Sequence, residues 1–81
     1  MVKQTRHAAL LKALGKRLRA LRQERRLSQE TLAWKADLEL SQISRIERGV
    51  INTSISQLFS IAEALNVSLA DLFTFEIPDE D

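Results

Sequence analysis

The stretch SQETLAWKADLELSQISRIERG, from Ser28 to Gly49, decides the fold of this chain. Its first part predicts a short helix, because Ser28 is a good N-cap and Leu32 and Ala36 repeat at helical spacing. Asp37 is expected to end that helix, since aspartate tolerates the left-handed conformation of a turn better than most residues do. The middle of the stretch therefore predicts a tight turn.

A second helix is predicted after this turn, and Gly49 ends it. The small side chain of Ala33 in the first helix lets the second helix cross close by. Two short helices joined by a tight turn, each with an apolar side, make a helix-turn-helix. The predicted inward residues of the motif are Leu32, Ala33, Ala36, Leu38, Ile43 and Ile46.

The chain resembles the Cro/cI-type (XRE-like) family of DNA-binding domains, which have the fold of the lambdoid phage repressors. Three segments carry the resemblance: LSQETLA at 27–33, ISRIERG at 43–49 and LFSIAEALNV at 58–67. The match extends over about residues 14–73, so it also includes the helices that flank the motif. It implies an all-α fold: a five-helix, lambda-repressor-like DNA-binding domain with a helix-turn-helix and a short C-terminal arm.

Length and composition exclude several classes of function. A chain of 81 residues forms one domain with a modest core, so dimerisation would add stability. The absence of cysteine excludes a disulfide framework, a thiolate metal site and a cysteine nucleophile, and the single histidine, His7, cannot form a metal cluster by itself. No apolar run approaches transmembrane length, and no signal-peptide pattern follows Met1. We therefore expect a soluble, cytoplasmic protein that is not an enzyme and uses no metal or cofactor.

Charge is distributed unevenly along the chain. Residues 1–26 contain nine Lys or Arg and one acid, whereas residues 61–81 contain six acids and no base. A basic N-terminal part favours a polyanionic partner. Taken alone, such a run is as often a solvated helix face, but beside a helix-turn-helix the polyanion is favoured, and double-stranded DNA is the expected partner.

The first helix is predicted to run from about Thr5 to about Arg25. Its buried stripe follows steps of three and four residues: Leu11, Leu14, Leu18 and Leu21. In the family this helix begins nearer Leu14, so residues 1–13 are an N-terminal helical extension. Arg26 stands where the family often has Gly or Asn, which indicates either a left-handed Arg or a longer helix.

Capping patterns outline the second half of the chain. Ser54 and Gln57 predict a capping box before a fourth helix, and Asn66 is expected to take the left-handed position that ends it. Its inward residues are Leu58, Ile61, Ala62 and Leu65. Ser68 and Asp71 resemble a second box and start a short fifth helix. The acidic tail, residues 74–81, is expected to form a short strand or an extended arm.

The outward side of the third helix, which starts near Glu39 or Leu40, is the predicted base-reading surface. The resemblance places this helix in the major groove, with the candidate base contacts Leu40, Ser41, Gln42, Ser44 and Arg45. Arg45 can bind guanine O6 and N7, Ser41 any base edge, and Leu40 a thymine methyl group. Gln42 suits either adenine or phosphate, and a phosphate or solvent contact is the alternative for Arg45. Glu39 would repel phosphate unless it caps the helix or accepts from cytosine.

Three residues are candidate phosphate contacts: Arg22, Ser28 and Gln29. Ser28 and Gln29 stand at the start of the second helix, whose free amides suit an anion. The resemblance pairs Arg22 with Glu47 as a structural ion pair between the first and third helices. The alternative is that these two residues are independent surface charges, which contribute little.

Apolar residues outside the core suggest where partners bind. Phe73, Phe75 and Ile77 are the predicted dimer interface, as relatives of this size commonly dimerise through the last helix and tail. Trp34 lies outside the inward stripe and is expected to be half exposed against the first helix or the tail. Val50 and Ile51 replace the Lys or Arg that many relatives have in this loop, so they either fold back on the core or meet a second subunit.

Together these features predict a sequence-specific transcriptional regulator that binds a palindromic operator as a homodimer. The small controllers of restriction–modification and prophage systems are similar in size. The alternative is an antitoxin-type or other protein-interaction module that also binds DNA and has a protein partner.

Overall fold

The structure is a computed structural model that describes residues 7–78. It contains four α-helices and a 3₁₀ turn: α1 (Ala8–Glu24), α2 (Gln29–Ala36), α3 (Leu40–Arg48), α4 (Ile55–Leu65) and the turn Ala70–Phe73. No strand occurs within residues 7–78, and the all-α class is confirmed. The predicted fifth helix is this four-residue turn, and the predicted start of helix one at Thr5 lies outside the described residues.

The core draws apolar side chains from every helix and from the 3₁₀ turn. The stripe predicted for α1, Leu11 to Leu21, is buried at all four positions. The buried cluster consists of Leu14, Leu18, Leu21, Leu32, Ala33, Ala36, Ile43, Ile46, Leu58, Ile61, Ala62, Leu65 and Leu72. Burying one such Leu or Ile side chain contributes roughly 1.5–3 kcal/mol. These contacts hold α2 and α3 at a fixed angle and so set the geometry of the motif.

All four helices end in the same way. A residue in the left-handed conformation follows the helix, and the N–H of the next residue donates to the carbonyl five positions earlier. The left-handed residues are Arg26, Asp37, Gly49 and Asn66, with φ values of 57°, 56°, 71° and 58°. After Asp37, for example, the N–H of Leu38 donates to the Ala33 carbonyl at 2.9 Å. This arrangement is the Schellman motif. The turns predicted at Asp37, Gly49 and Asn66 are confirmed, and Arg26 adopts the left-handed alternative.

Serine side chains cap the starts of α2 and α4. The hydroxyls of Ser28 and Ser54 accept from the amides of Thr31 and Gln57, at 3.0 and 3.1 Å. The Ser54 box is half formed, because the side chain of Gln57 instead accepts from the Thr53 hydroxyl at 2.6 Å.

The box predicted at Ser68 and Asp71 is confirmed. Each side chain binds the other residue's amide at 3.1 Å. The backbone hydrogen bonds that follow, such as Leu72 N–H to the Leu69 carbonyl at 3.1 Å, join residues three positions apart. Hydrogen bonds of this spacing form a 3₁₀ turn rather than an α-helix.

α1 crosses the C-terminal end of α3 at close range. A Cβ atom on Gly15 would overlap the carbonyl oxygen of Glu47 and lie 2.6 Å from that of Ile46. One on Gly49 would lie 2.6 Å from the Cα of Lys12. The two glycines therefore let the backbones of α1 and α3 approach each other.

Three apolar side chains, Trp34, Val50 and Ile51, differ from the sequence expectations or decide between them. Trp34 is 79% exposed, so the prediction that it lies half covered against helix one or the tail is wrong. α3 and α4 pack against α2, and neither covers this side chain. Ile51 packs against the core, whereas the neighbouring Val50 is exposed.

The tail is irregular over residues 74–78, so the strand alternative is not formed there. Phe75 turns back onto the core, and its ring centroid lies 6.3 Å from that of Phe73. Phe73 and Ile77 remain exposed.

Candidate nucleic-acid interface

The outward side of α3 presents a row of polar and cationic side chains. Ile43 and Ile46 are buried on the opposite side of the helix, which fixes its rotation about its own axis. Leu40, Ser41 and Arg45 are consequently exposed. Of the remaining candidate base contacts, Gln42 and Ser44 are half-buried.

The start of α3 is held by its own first turn. Glu39 is the N-cap, in an extended conformation, and its amide donates to Oε1 of Gln42 at 3.4 Å. Glu39 was expected either to cap the helix or to accept from cytosine, and the structure shows it as the helix cap. The carbonyl end of the Gln42 side chain is turned towards this cap, which leaves its amide NH₂ group as the donor for any outside contact.

Arg22 and Glu47 form a buried, bidentate ion pair between α1 and α3. The Nε of Arg22 donates to Oε2 of Glu47 at 2.6 Å, and Nη2 donates to Oε1 at 3.1 Å. The third nitrogen, Nη1, donates to the carbonyl of Leu27 at 2.7 Å. The two side chains are only 11% and 4% exposed. Most of the guanidinium of Arg22 is thus used inside the protein.

Gln29, at the start of α2, extends this pair to a third helix. Its Nε2 donates to Oε1 of Glu47 at 2.9 Å, the oxygen that also accepts from Arg22. One carboxylate therefore connects α1, α2 and α3. Sequence reasoning anticipated the Arg22 contact and missed that of Gln29, because no local pattern specifies a contact between residues 18 positions apart.

Ser28 lies beside Gln29 at the exposed end of α2. Its hydroxyl accepts from the Thr31 amide and donates to the Thr31 hydroxyl, each at 3.0 Å. The candidate phosphate contacts Ser28 and Gln29 are therefore adjacent and are both held in place, whereas Arg22 is buried behind them.

Further cations lie on α1 and at the C-terminal end of α3. Lys12 adjoins Gly49, and Arg48 is exposed on the last turn of α3. Lys16 and Arg19 are exposed on α1. Arg17 differs from them, because its Nε donates to the carbonyl of Asp71 at 2.9 Å and ties the 3₁₀ turn to α1. Apart from Arg17, these cations lie on the surface, where a polyanion could reach them.

Within residues 7–78, no group of acidic residues and histidine is placed to hold a metal ion. Over the same range, none of the helices has both the length and the apolar character that crossing a membrane requires.

A family model and the similar proteins place this chain in the same family. Residues 18–72 match the family model described as helix-turn-helix. The immunity repressor protein of Bacillus phage phi105 is 42% identical over 57 residues, which are 70% of this chain and 40% of that protein. Control protein C.BamHI of Bacillus amyloliquefaciens is 40% identical over 62 residues, 75% of this chain and 76% of that protein. The chain thus spans two fifths of the phage repressor and three quarters of the control protein.

Solved structures support the same grouping. The crystal structure of the restriction-modification controller protein C.AhdI from Aeromonas hydrophila superposes with a TM-score of 0.77 at 41% identity. The match covers 78% of this chain and 96% of that one. The predicted fold, lambda-repressor-like with a helix-turn-helix, is confirmed by this similarity.

Proposed function

The chain belongs to the helix-turn-helix family of DNA-binding regulators, which are not enzymes, and we propose that it binds a palindromic operator as a homodimer. In this proposal α3 lies in the major groove and reads the sequence, while the start of α2 holds the backbone. The observation that carries it is the exposed row on α3, set opposite the buried Ile43 and Ile46.

Base reading is assigned to the outward side of α3. Arg45 is the strongest candidate, because a guanidinium can donate two bonds to guanine O6 and N7. Ser41 is exposed one turn earlier on the same side, in the N-terminal part of the helix, which contacts base edges in this motif. Leu40 offers an exposed apolar surface for a thymine methyl group. Gln42 and Ser44, being half-buried, have less reach and are assigned to the edge of this surface.

Phosphate binding is assigned to the start of α2. The first amides of a helix attract an anion, and the Gln29 side chain adds a donor beside them. Arg22 contributes mainly as a positioning residue, since it holds the Glu47 carboxylate that in turn binds Gln29.

The small size of the reading surface supports the proposed dimer. One α3 helix reads only a few base pairs, so a pair of copies on a two-fold axis doubles the specificity. The centres of the two half-sites should then lie about 34 Å apart, near one helical turn of DNA. Phe73 and Ile77 are exposed and remain candidates for this interface, while the half-buried Phe75 could only support them.

The biological role that fits is control of a neighbouring gene in the cytoplasm. Proteins similar to this chain include a phage immunity repressor and restriction-modification controllers. A second candidate role is binding to a protein partner, and the observation that favours it is the exposure of Trp34. A large aromatic side chain of this kind is enriched at protein interfaces.

Selection of bound sequences from a random DNA pool tests the proposal. We expect one enriched palindrome whose half-sites have the spacing given above. Strong binding without any enriched sequence would contradict base reading by α3, and an enriched single half-site would contradict the homodimer. A protein that retains no DNA at low salt would favour the protein-partner role.

A further inference from the structure

The turn that joins α1 to α2 holds an arginine in the left-handed conformation. Arg26 has a φ of 57°, in the region that favours glycine over residues with a side chain. The backbone beside it is fixed, because the Leu27 amide donates to the Arg22 carbonyl at 3.1 Å and Nη1 of Arg22 donates to the Leu27 carbonyl at 2.7 Å. Arg26 is therefore held at a defined place on the surface, three residues before Gln29.

Most of the cations around this turn already have a partner. The charged residues of segment 20–34 are Arg22, Glu24, Arg25, Arg26 and Glu30. Arg22 is neutralised by Glu47, and Nη1 of Arg25 lies 4.0 Å from Oε1 of Glu24. The side chain of Arg26 is exposed and makes no hydrogen bond or ion pair within residues 7–78. Arg26 is thus the one unpaired cation of segment 20–34, which the structure describes in full.

The phosphate site proposed at the start of α2 needs a cation of this kind. The first two amides of the helix, those of Gln29 and Glu30, are open to an anion, because the Ser28 cap takes up only the third. The side chain of Glu30 is exposed in the same turn, and its negative charge would repel a phosphate. Since Arg22 is neutralised, the positive charge that offsets Glu30 must come from Arg26.

We propose that Arg26 binds a backbone phosphate of DNA beside the start of α2. The proposal rests on the function proposed above and adds a residue to its phosphate site. Three Cα–Cα steps of about 3.8 Å place the Cα atoms of Arg26 and Gln29 within about 11 Å of each other, so both side chains serve one stretch of the DNA backbone. A guanidinium suits this contact, because its planar fork of donors binds two phosphate oxygens at once.

A contact of this kind makes stability and DNA affinity change in opposite directions. A glycine at position 26 relieves the left-handed backbone and so does not destabilise the fold, but it removes the charge. Arg26 is not on α3, to which base reading is assigned, and a phosphate contact carries no base information directly. The contribution of Arg26 to binding should therefore be equal on all sequences and should weaken as the salt concentration rises.

Titration of three variants with DNA over a range of salt concentrations tests the proposal. The variants are Arg26→Gly, Arg26→Lys and the control Lys35→Gln, which removes an exposed cation from the last turn of α2. Each is measured on the selected operator and on a scrambled duplex of equal length, and thermal melting checks that each one folds.

Arg26→Gly should bind both duplexes about tenfold more weakly at low salt, without a lower Tm. Its log–log salt slope should be shallower by about 0.9 for each bound chain, because one phosphate contact is lost. Arg26→Lys and Lys35→Gln should keep the slope of the original chain and lose less than about threefold in affinity.

The outcomes separate this contact from the proposed function. An Arg26→Gly protein with the affinity and slope of the original chain would overturn the contact, and so would an equal loss of slope in Arg26→Lys or Lys35→Gln. If the original chain binds the operator no better than the scrambled duplex, base reading is wrong, and the slopes on the scrambled duplex still decide the role of Arg26. An original chain that retains no DNA at low salt would overturn both.

Discussion

Replacing Glu47 with alanine should destabilise the fold far more than removing an exposed acid. The substitution deletes the acceptor of two bonds from Arg22 and one from Gln29. Removing one partner of a buried ion pair costs about 3–5 kcal/mol, since the other charge is left without compensation. Arg22 keeps its bond to the Leu27 carbonyl and a slight exposure, which places the cost near the lower end, at about 3 kcal/mol.

Thermal and urea unfolding measure this effect. For a domain of this size, 1 kcal/mol corresponds to about 4–8 °C, so the Tm of the Glu47→Ala protein should fall by roughly 12–24 °C. Glu63→Ala is the matched control, because Glu63 is an exposed carboxylate on a helix. It should change the Tm by no more than a few degrees. Equal melting of the two variants would refute the stabilising role of the pair.

A double variant separates the lost pair from the unpaired charge. Replacing Arg22 with Met and Glu47 with Leu removes both charges, and buried pairs exchanged for apolar residues are often neutral in stability. We expect this protein to recover a substantial part of the stability lost in Glu47→Ala. Its affinity for all DNA sequences should still be reduced, because Gln29 has lost the carboxylate that orients it.

Three further predictions concern the backbone and the charge of the DNA-facing side. Gly15→Ala should lower the free energy of unfolding in urea by about 1–3 kcal/mol, because the added Cβ meets two carbonyl oxygens of α3. Its control, Ala20→Gly on the exposed side of α1, should lower it by no more than about 1 kcal/mol. Arg26→Gly should raise the Tm slightly, by the equivalent of about 0.5–1 kcal/mol, since a left-handed Arg is strained; a lower Tm would contradict this. DNA affinity should fall with salt at a log–log slope of about −5, as expected for on the order of six phosphate contacts, and a slope near zero would remove the electrostatic part of the proposal.

Helix caps, turns and buried helix sides were predictable from the sequence. The caps Ser28 and Ser54 and the left-handed turns at Asp37 and Asn66 depend on neighbours within a few residues, so their patterns determine them. The buried stripe of α1 follows from helical periodicity alone. The outward side of α3 could be identified for the same reason, because Ile43 and Ile46 define the opposite side.

Features that depend on how the helices meet were not predictable. The contact of Gln29 with Glu47 and the close approach at Gly15 require the crossing of two helices to be known. The exposure of Trp34 depends on the absence of a neighbour, which periodicity within α2 does not reveal.

Base preference in two variants tests the proposed reading of DNA most directly. Binding of Arg45→Ala and Gln29→Ala to the selected operator is compared with binding to each of its single-base substitutions. Arg45→Ala should lose about 1–3 kcal/mol and relax the preference at one symmetric pair of positions. Gln29→Ala should weaken binding to every sequence by a similar factor, because a phosphate contact carries no base information. An Arg45→Ala protein that is uniformly weaker, with its base preference unchanged, would contradict sequence reading by α3 through this residue.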